Sequence, residues 1–326
     1  MEERSIAHEA AVNEQKRMKK DIGRMGWGLI LYTVVNFSVV MFDTIRQIVL
    51  MRIENGGAEL QEQQITALSE SAVSMIIAVS VGTLVLWLFM GKRVDTKEMF
   101  VSKKEMNAKT LFQLVSVFMT VQIIFSGVVG FMEAGLNMLG YTAMASIESA
   151  TGASDTISMF LYASFIGPIV EELVDRGFVQ GFLSKYGKMF GMIVAALLFG
   201  IMHANVAQIP FAFFVGIVLG YVAAEYSLKW AIIVHIINNF VFVELMGIIG
   251  KIFGETAEIF LSNGVVYGLS VVGIVVLWKN RENITSYIKE NKGPNNRYIA
   301  VVTTVPILLF TVVNLLLAVL AIQPLG

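Results

Sequence analysis

The sequence predicts an all-α, polytopic membrane protein of about nine transmembrane helices, and three observations predict it. Apolar residues make up 56% of the 326 positions and charged residues only 15%. Mean hydropathy is +0.70, whereas an ordinary soluble domain is about 45–50% apolar and about 25% charged. The apolar residues fall into runs long enough to cross a bilayer core, which takes roughly 20 residues of helix. Finally, lysine and arginine are segregated between alternate loops, as membrane insertion demands. This composition excludes a soluble enzyme and a disordered chain. A net charge of −1 leaves no basic field for nucleic acid. The absence of cysteine removes disulfides, thiolate metal sites and cysteine nucleophiles.

Taken in order, the candidate spans are 25–45, 71–91, 110–132, 157–183, 190–207, 209–225, 230–250, 259–278 and 298–322. The fifth and sixth are short and separated only by a turn near Gln208 and Pro210. All of the 24 Lys and Arg except Arg46, Arg52, Arg176 and Lys251 fall on one side of this arrangement. That assigns the side to the cytoplasm. The opposite loops are acidic or neutral, with Glu54, Glu59, Glu62, Glu133, Glu148 and Asp155. Trp27, Trp87, Trp230 and Trp278 all lie near the proposed cytoplasmic helix ends, where amphipathic rings belong. Residues 1–24 mix acids and bases and read as a cytoplasmic tail rather than a signal peptide. The expected organisation is this tail, spans one to three over 25–156, a core of spans four to seven over 157–250, and spans eight and nine over 251–326. With nine spans the C-terminus lies outside.

An ionisable group inside a membrane is costly and reads as functional by default. Span four carries four within six positions: Glu171, Glu172, Asp175 and Arg176. Glu172 and Arg176 are four apart with the acid first, the favourable order for a helical pair. Glu171 and Asp175 are also four apart, on an adjacent face, and repel. The competing reading is a structural ion pair, or an early end to the span. Glu171 lies 14 residues before Lys185, about 21 Å along a helix, which argues against an early end. Pro168 removes the backbone bond to the Ser164 carbonyl just before the acids.

Two histidines extend the pattern. His203 lies in span five and His235 in span seven, with Asn239 one turn later on the same side of that helix. Asn238 points elsewhere. A lone intramembrane histidine is often only a packed residue; two, beside a glutamate pair on a third helix, point to chemistry. A carboxylate with an imidazole can activate water, and a second imidazole with an amide can stabilise an oxyanion. The same groups are also of the type that binds a divalent metal such as zinc. Spacing alone leaves both mechanisms open.

The ordered set EExxxRG, FxxxH and HxxxN, here Glu171 to Gly177, Phe199 to His203 and His235 to Asn239, resembles the CAAX-protease and bacteriocin-processing (CPBP, or Abi) family of intramembrane endopeptidases. The similarity runs over about 160–245. It implies that Glu171 activates water with help from His203, that His235 and Asn239 stabilise the oxyanion, and that Glu172 and Arg176 orient the site. Metal-dependent and glutamate-dependent mechanisms are both attached to that family. The implied partner is a membrane-associated peptide or protein within the lipid bilayer. One departure is Asp175, at a position that is commonly aromatic or aliphatic in the family; it could bind a cation or a basic substrate side chain. Two other readings remain at this level. One is a non-catalytic immunity or scaffold protein of the same fold. The other is a proton-coupled carrier, although the chain lacks the paired, interrupted halves usual in carriers. A geometric tension also remains: His235 follows Lys229 by only six residues, about 9 Å of helix, so on straight helices it sits at a different depth from Glu171. Tilted spans, or an inward dip of the loop 225–229, would remove it.

Overall fold

In a bilayer every backbone N–H and C=O must be paired within the chain, and long apolar runs do this as helices. The computed structural model describes all residues except 1, 62, 63, 66, 67, 69, 70, 144–153, 155, 295 and 326. Glu62, Glu148 and Asp155, expected on the outer side, thus lie outside the described residues. The chain runs through α1 (Glu2–Glu54), α2 (Val73–Met90) and α3 (Ala108–Met138). Next come α4 (Ile157–Tyr186), α5 (Lys188–Met202), α6 (Gln208–Glu225) and α7 (Leu228–Phe253). It ends with α8 (Glu255–Lys279), α9 (Arg281–Asn291), α10 (Asn296–Val302) and α11 (Val305–Leu320). The only described strands are Tyr141–Thr142 and Gln323–Pro324, which pair antiparallel.

Seven of the described helices are long and apolar enough to cross a membrane, and the pair α10–α11, bent by 63°, makes an eighth. Pro306 stands in the first turn of α11 and explains the break, because its missing N–H cannot continue the preceding helix. The expected fifth span is α5. At 15 residues it is apolar but short, about 22 Å. Each of the nine expected stretches is therefore helical over most of its length; the fifth ends at Met202, with 203–207 in a turn. The expected tail, by contrast, continues without a break into the first span as one 53-residue helix.

Two apolar clusters organise the packing. One joins α1, α2, α4, α5 and α10–α11 through residues such as Ile22, Leu86, Val174, Leu198 and Phe310. The other joins α3, α6 and α7 through Phe118, Leu219, Val234 and Phe242. The outer surface is apolar as well, with Phe37, Leu88, Phe131 and Leu316 all exposed. That is the surface a lipid-embedded helix requires. Helices α5 and α6 bind the two clusters together. Gly216 and Gly220 allow the approach: a Cβ at Gly216 would stand 3.1 Å from the Ala196 Cα, and one at Gly220 would stand 2.8 Å from Met192 Cγ. The buried Glu225 side chain closes one end, receiving Lys104 at 2.6 Å, Lys188 at 2.7 Å and the Tyr287 hydroxyl at 2.9 Å.

The depth tension has a simple resolution. The first turn of α7 begins beside Gly177, where a Cβ would lie 3.5 Å from Leu228 Cδ2. Helix α4 continues past that level to Tyr186. The α6–α7 turn is therefore sunk into the bundle. Glu172 lies five residues before Gly177 and His235 seven after Leu228, about 8 and 11 Å along their helices, so the two meet. The segment between α2 and α3 covers the sunken turn: Lys103 N–H donates to the Tyr226 carbonyl at 2.9 Å, and Lys103 Nζ donates to the Ala224 carbonyl at 3.2 Å.

Candidate active site

Helix α4 is not a uniform α-helix. It widens to π geometry over Tyr162–Ile166 and again over Leu173–Gln180, on either side of Gly167–Glu172. Helix α7 widens likewise over Ile237–Glu244. Such widened turns occur frequently at functional sites. The first has a traceable cause. Gly167 N–H donates to the Tyr162 carbonyl, five residues back. The Ala163 carbonyl then faces Pro168, which has no N–H to give. Asn239 takes the orphan: its Nδ2 donates to the Ala163 carbonyl at 3.0 Å. Pro168 thereby joins α4 to α7 through a backbone group that no motif names.

The adjacent glutamates have opposite environments. Glu172 is fully buried. Its Oε1 accepts from His235 Nδ1 at 2.9 Å and pairs with Arg176 Nη1 at 2.9 Å. Glu171 keeps 31% of its side chain exposed, and its Oε2 lies 3.8 Å from His235 Nε2. His235 is thus held between the two acids. Because an ionised carboxylate can only accept, the Nδ1–H of His235 points at Glu172 and Nε2 faces Glu171. The separation of 3.8 Å is too long for a direct hydrogen bond, and a water seated beside the pair, not between its atoms, can reach both.

His203 ends α5. Its Nδ1 is 2.8 Å from the Phe199 carbonyl, so the proton sits on Nδ1 and Nε2 is the open nitrogen. The next residue, Ala204, has φ +47°, a left-handed stop unusual for alanine. It turns the chain away directly after the imidazole. Phe199 is the hub of the site, with only 2% exposure. The His203 ring meets it edge-on at 4.8 Å and the His235 ring at 6.2 Å. The Arg176 guanidinium lies 4.2 Å over its face, a cation–π contact. Arg176 also reaches the Gly216 carbonyl through Nη2 at 3.4 Å, and one turn later Gln180 Nε2 donates to the Gly220 carbonyl at 2.8 Å.

Glu171, Glu172, Arg176 and His235 are therefore one assembly, His203 joins it through Phe199, and Asn239 braces it through Ala163. Asp175 does not join. It is 1% exposed, and neither carboxylate oxygen has a hydrogen-bond partner among the described residues. Asn238 donates from Nδ2 to Asn239 Oδ1 at 2.9 Å. Among the described residues, no group of three or more His, Asp or Glu side chains is arranged to hold a metal ion. The inner nitrogen of each imidazole is held by an oxygen and Nε2 is left open, an arrangement that also serves a metal-ligating histidine. Sequence reading missed Phe199 as a contact centre, although it stood inside FxxxH. It also missed the Ala163 carbonyl, for which Pro168 was the only signal. Arg176 also lines a recess of about 330 Å³, together with Asp95, Met99, Gln180, Lys188 and Leu228 among others.

A family model described as "Type II CAAX prenyl endopeptidase Rce1-like" matches residues 153–241, a little over a quarter of the chain. The match includes every candidate residue from Glu171 to Asn239 and leaves out α1–α3 and α8–α11. It is consistent with the resemblance drawn from EExxxRG, FxxxH and HxxxN. No curated protein and no solved structure matches the chain.

Proposed function

We infer, from the prenyl-endopeptidase match over 153–241 and from the glutamate pair, that this multi-pass membrane protein hydrolyses a peptide bond of a membrane-associated peptide or protein. One observation carries the reading: of two neighbouring carboxylates, one is sealed against an imidazole and an arginine, and the other opens onto the far nitrogen of that imidazole.

The chemistry follows from that placement. A water bonded to Glu171 Oε2 on the side that faces His235 Nε2 gives its proton to Glu171, and its oxygen bonds to the scissile carbonyl carbon. The carbonyl π electrons move to oxygen. His235 donates to this oxyanion from Nε2 whenever both ring nitrogens carry protons, with Nδ1–H held by Glu172. The proton on Glu171 passes to the leaving nitrogen, the C–N bond breaks, and a carboxylate and an amine remain. A positioned base of this kind contributes about 10²–10⁴-fold. The open Nε2 of His203 is placed to assist the proton transfer. Asn239 braces the site through Ala163 with one of its two Nδ2 hydrogens, and the second is left to serve the oxyanion. Glu172 and Arg176 set the His235 ring. No step here is routed through a metal.

The test uses the full chain purified in detergent. Probes are a quenched-fluorescence prenylated CAAX peptide and a panel of unprenylated apolar peptides, each with and without a strong chelator. Cleavage by wild type, with one oxygen from labelled water in the new carboxylate, and its loss in Glu171→Gln and His203→Ala support the reading. Equal cleavage by wild type and both variants, or none by wild type across the panel, defeats it. Loss on chelation would replace the glutamate-only mechanism with a metal-assisted one.

A further inference from the structure

A second recess, of about 410 Å³, lies where α1 passes the ends of α2 and α4. Its lining is Arg17, Lys20, Asp21, Arg24, Arg93, Phe182 and Lys185. Five cations therefore face one acid. Arg17, Lys20 and Arg24 share one face of α1 at spacings of three and four residues. Asp21 is already committed: it accepts from Lys185 Nζ at 2.6 Å and from the Tyr186 hydroxyl at 2.7 Å, with Arg24 Nη1 at 3.9 Å. Among the described residues, Arg93 Nη1 donates only to the Phe89 carbonyl, at 3.0 Å. Among the described residues, Arg17 and Lys20 form no ion pair. Like charges gathered around a concavity repel one another, and an anion seated there removes the repulsion.

The position of the recess selects the kind of anion. Trp27 stands one turn after Arg24, and Trp87 stands six residues before Arg93. Both rings are about half exposed, at 51% and 49%. Exposed tryptophans of membrane helices sit at the headgroup level. The recess therefore opens into the headgroup layer rather than into open water, and Phe182 gives its inner wall an apolar surface. Arginines hold phosphate oxygens through paired N–H donors. Basic pockets between membrane helices are of the type that takes lipid phosphates.

We propose that this recess binds the phosphodiester headgroup of an anionic membrane lipid. It is separate from the Glu171 site and does not depend on the proposed hydrolysis. Through Asp21, Lys185 and Tyr186 the bound headgroup would fix α1 against the end of α4, the helix that carries the glutamate pair.

The experiment uses full-length protein in micelles doped with phosphatidylglycerol or with phosphatidylcholine, read by native mass spectrometry and by melting temperature. Wild type should retain phosphatidylglycerol over phosphatidylcholine and melt higher with it. Arg17→Gln/Lys20→Gln/Arg24→Gln/Arg93→Gln should lose about tenfold of that retention, each cation near a lipid surface contributing to it. A charge-matched control, Lys279→Gln/Arg281→Gln/Lys289→Gln/Lys292→Gln, should keep it. Should the quadruple variant fail to fold in phosphatidylcholine, the exposed pair Arg17→Gln/Lys20→Gln carries the test. Equal retention by wild type and the recess variant overturns the proposal, as does equal loss in the control. Inorganic phosphate or soluble glycerophosphoglycerol raising the melting temperature as far as the lipid does would overturn the lipid assignment in favour of a free phosphate.

Discussion

Helices α3 and α8 meet in the same membrane as α4 and α7, yet the two contacts are built from different materials. Between α3 and α8 a Cβ on Gly273 would lie 2.2 Å from the Ser116 carbonyl. Thr120 Oγ1 donates to the Ser116 and Ser270 carbonyls at 3.0 Å each, and Ser270 Oγ donates to the Val266 carbonyl at 2.8 Å. Small residues bring the backbones together, and the hydroxyls satisfy themselves on carbonyls. Between α4 and α7 the contact is Glu172, His235 and Arg176, all buried and all charged or titratable. Several valences there stay open: Glu172 Oε2 and Arg176 Nε have no partner, and Glu171 faces a gap. The first contact is closed and serves packing. The second keeps capacity in reserve at a cost in stability, and such reserve is the mark of a site.

Substitutions in the two contacts should therefore separate activity from stability. The largest effect is expected from Glu171→Gln: a loss of about 10³-fold in peptide cleavage with an unchanged melting temperature, since this side chain bonds nothing buried. A melting shift of several degrees would make Glu171 structural and erase the distinction. Next, Glu172→Ala strands Arg176 in an apolar interior and should cost about 3–5 kcal/mol in denaturant titration, with cleavage lost as well. A third variant, Gly273→Val, forces α8 away from Ser116 and should cost about 1–3 kcal/mol. Cleavage per folded molecule should not change, because no reacting group lies on that seam; a proportionate loss of turnover would show that α3–α8 packing also sets the site. The smallest effect is expected at the end of α5. Ala204→Gly relieves a left-handed alanine and should stabilise by about 1 kcal/mol. If turnover falls despite that gain, the strained stop itself aims His203.

Much of this could be read without coordinates, though unevenly. Glu172 and Arg176 were legible as a pair because a fixed helical spacing makes neighbours of residues four apart. Span four was equally legible, since charges in apolar sequence are rare. The repulsion expected between Glu171 and Asp175 takes a different form: one carboxylate is half open and the other sealed. Asn239 was legible as a donor, but not that one of its two amide hydrogens goes to the Ala163 carbonyl. That outcome depends on the π turn ahead of Pro168, and a hydrogen bond reaching one residue further back leaves no periodicity to read.

By itself the sequence determined the membrane environment, the helical spans and the chemical inventory, because burial of apolar surface and local helical spacing are properties of neighbouring residues. Which glutamate is open, how α7 is offset along α4, and that five cations from α1, α4 and the turn after α2 ring one recess were decided only by the tertiary structure. Those facts rest on the relative heights and rotations of packed helices. Such heights are set by side-chain volumes and glycine contacts far apart in the chain, and no local pattern encodes them.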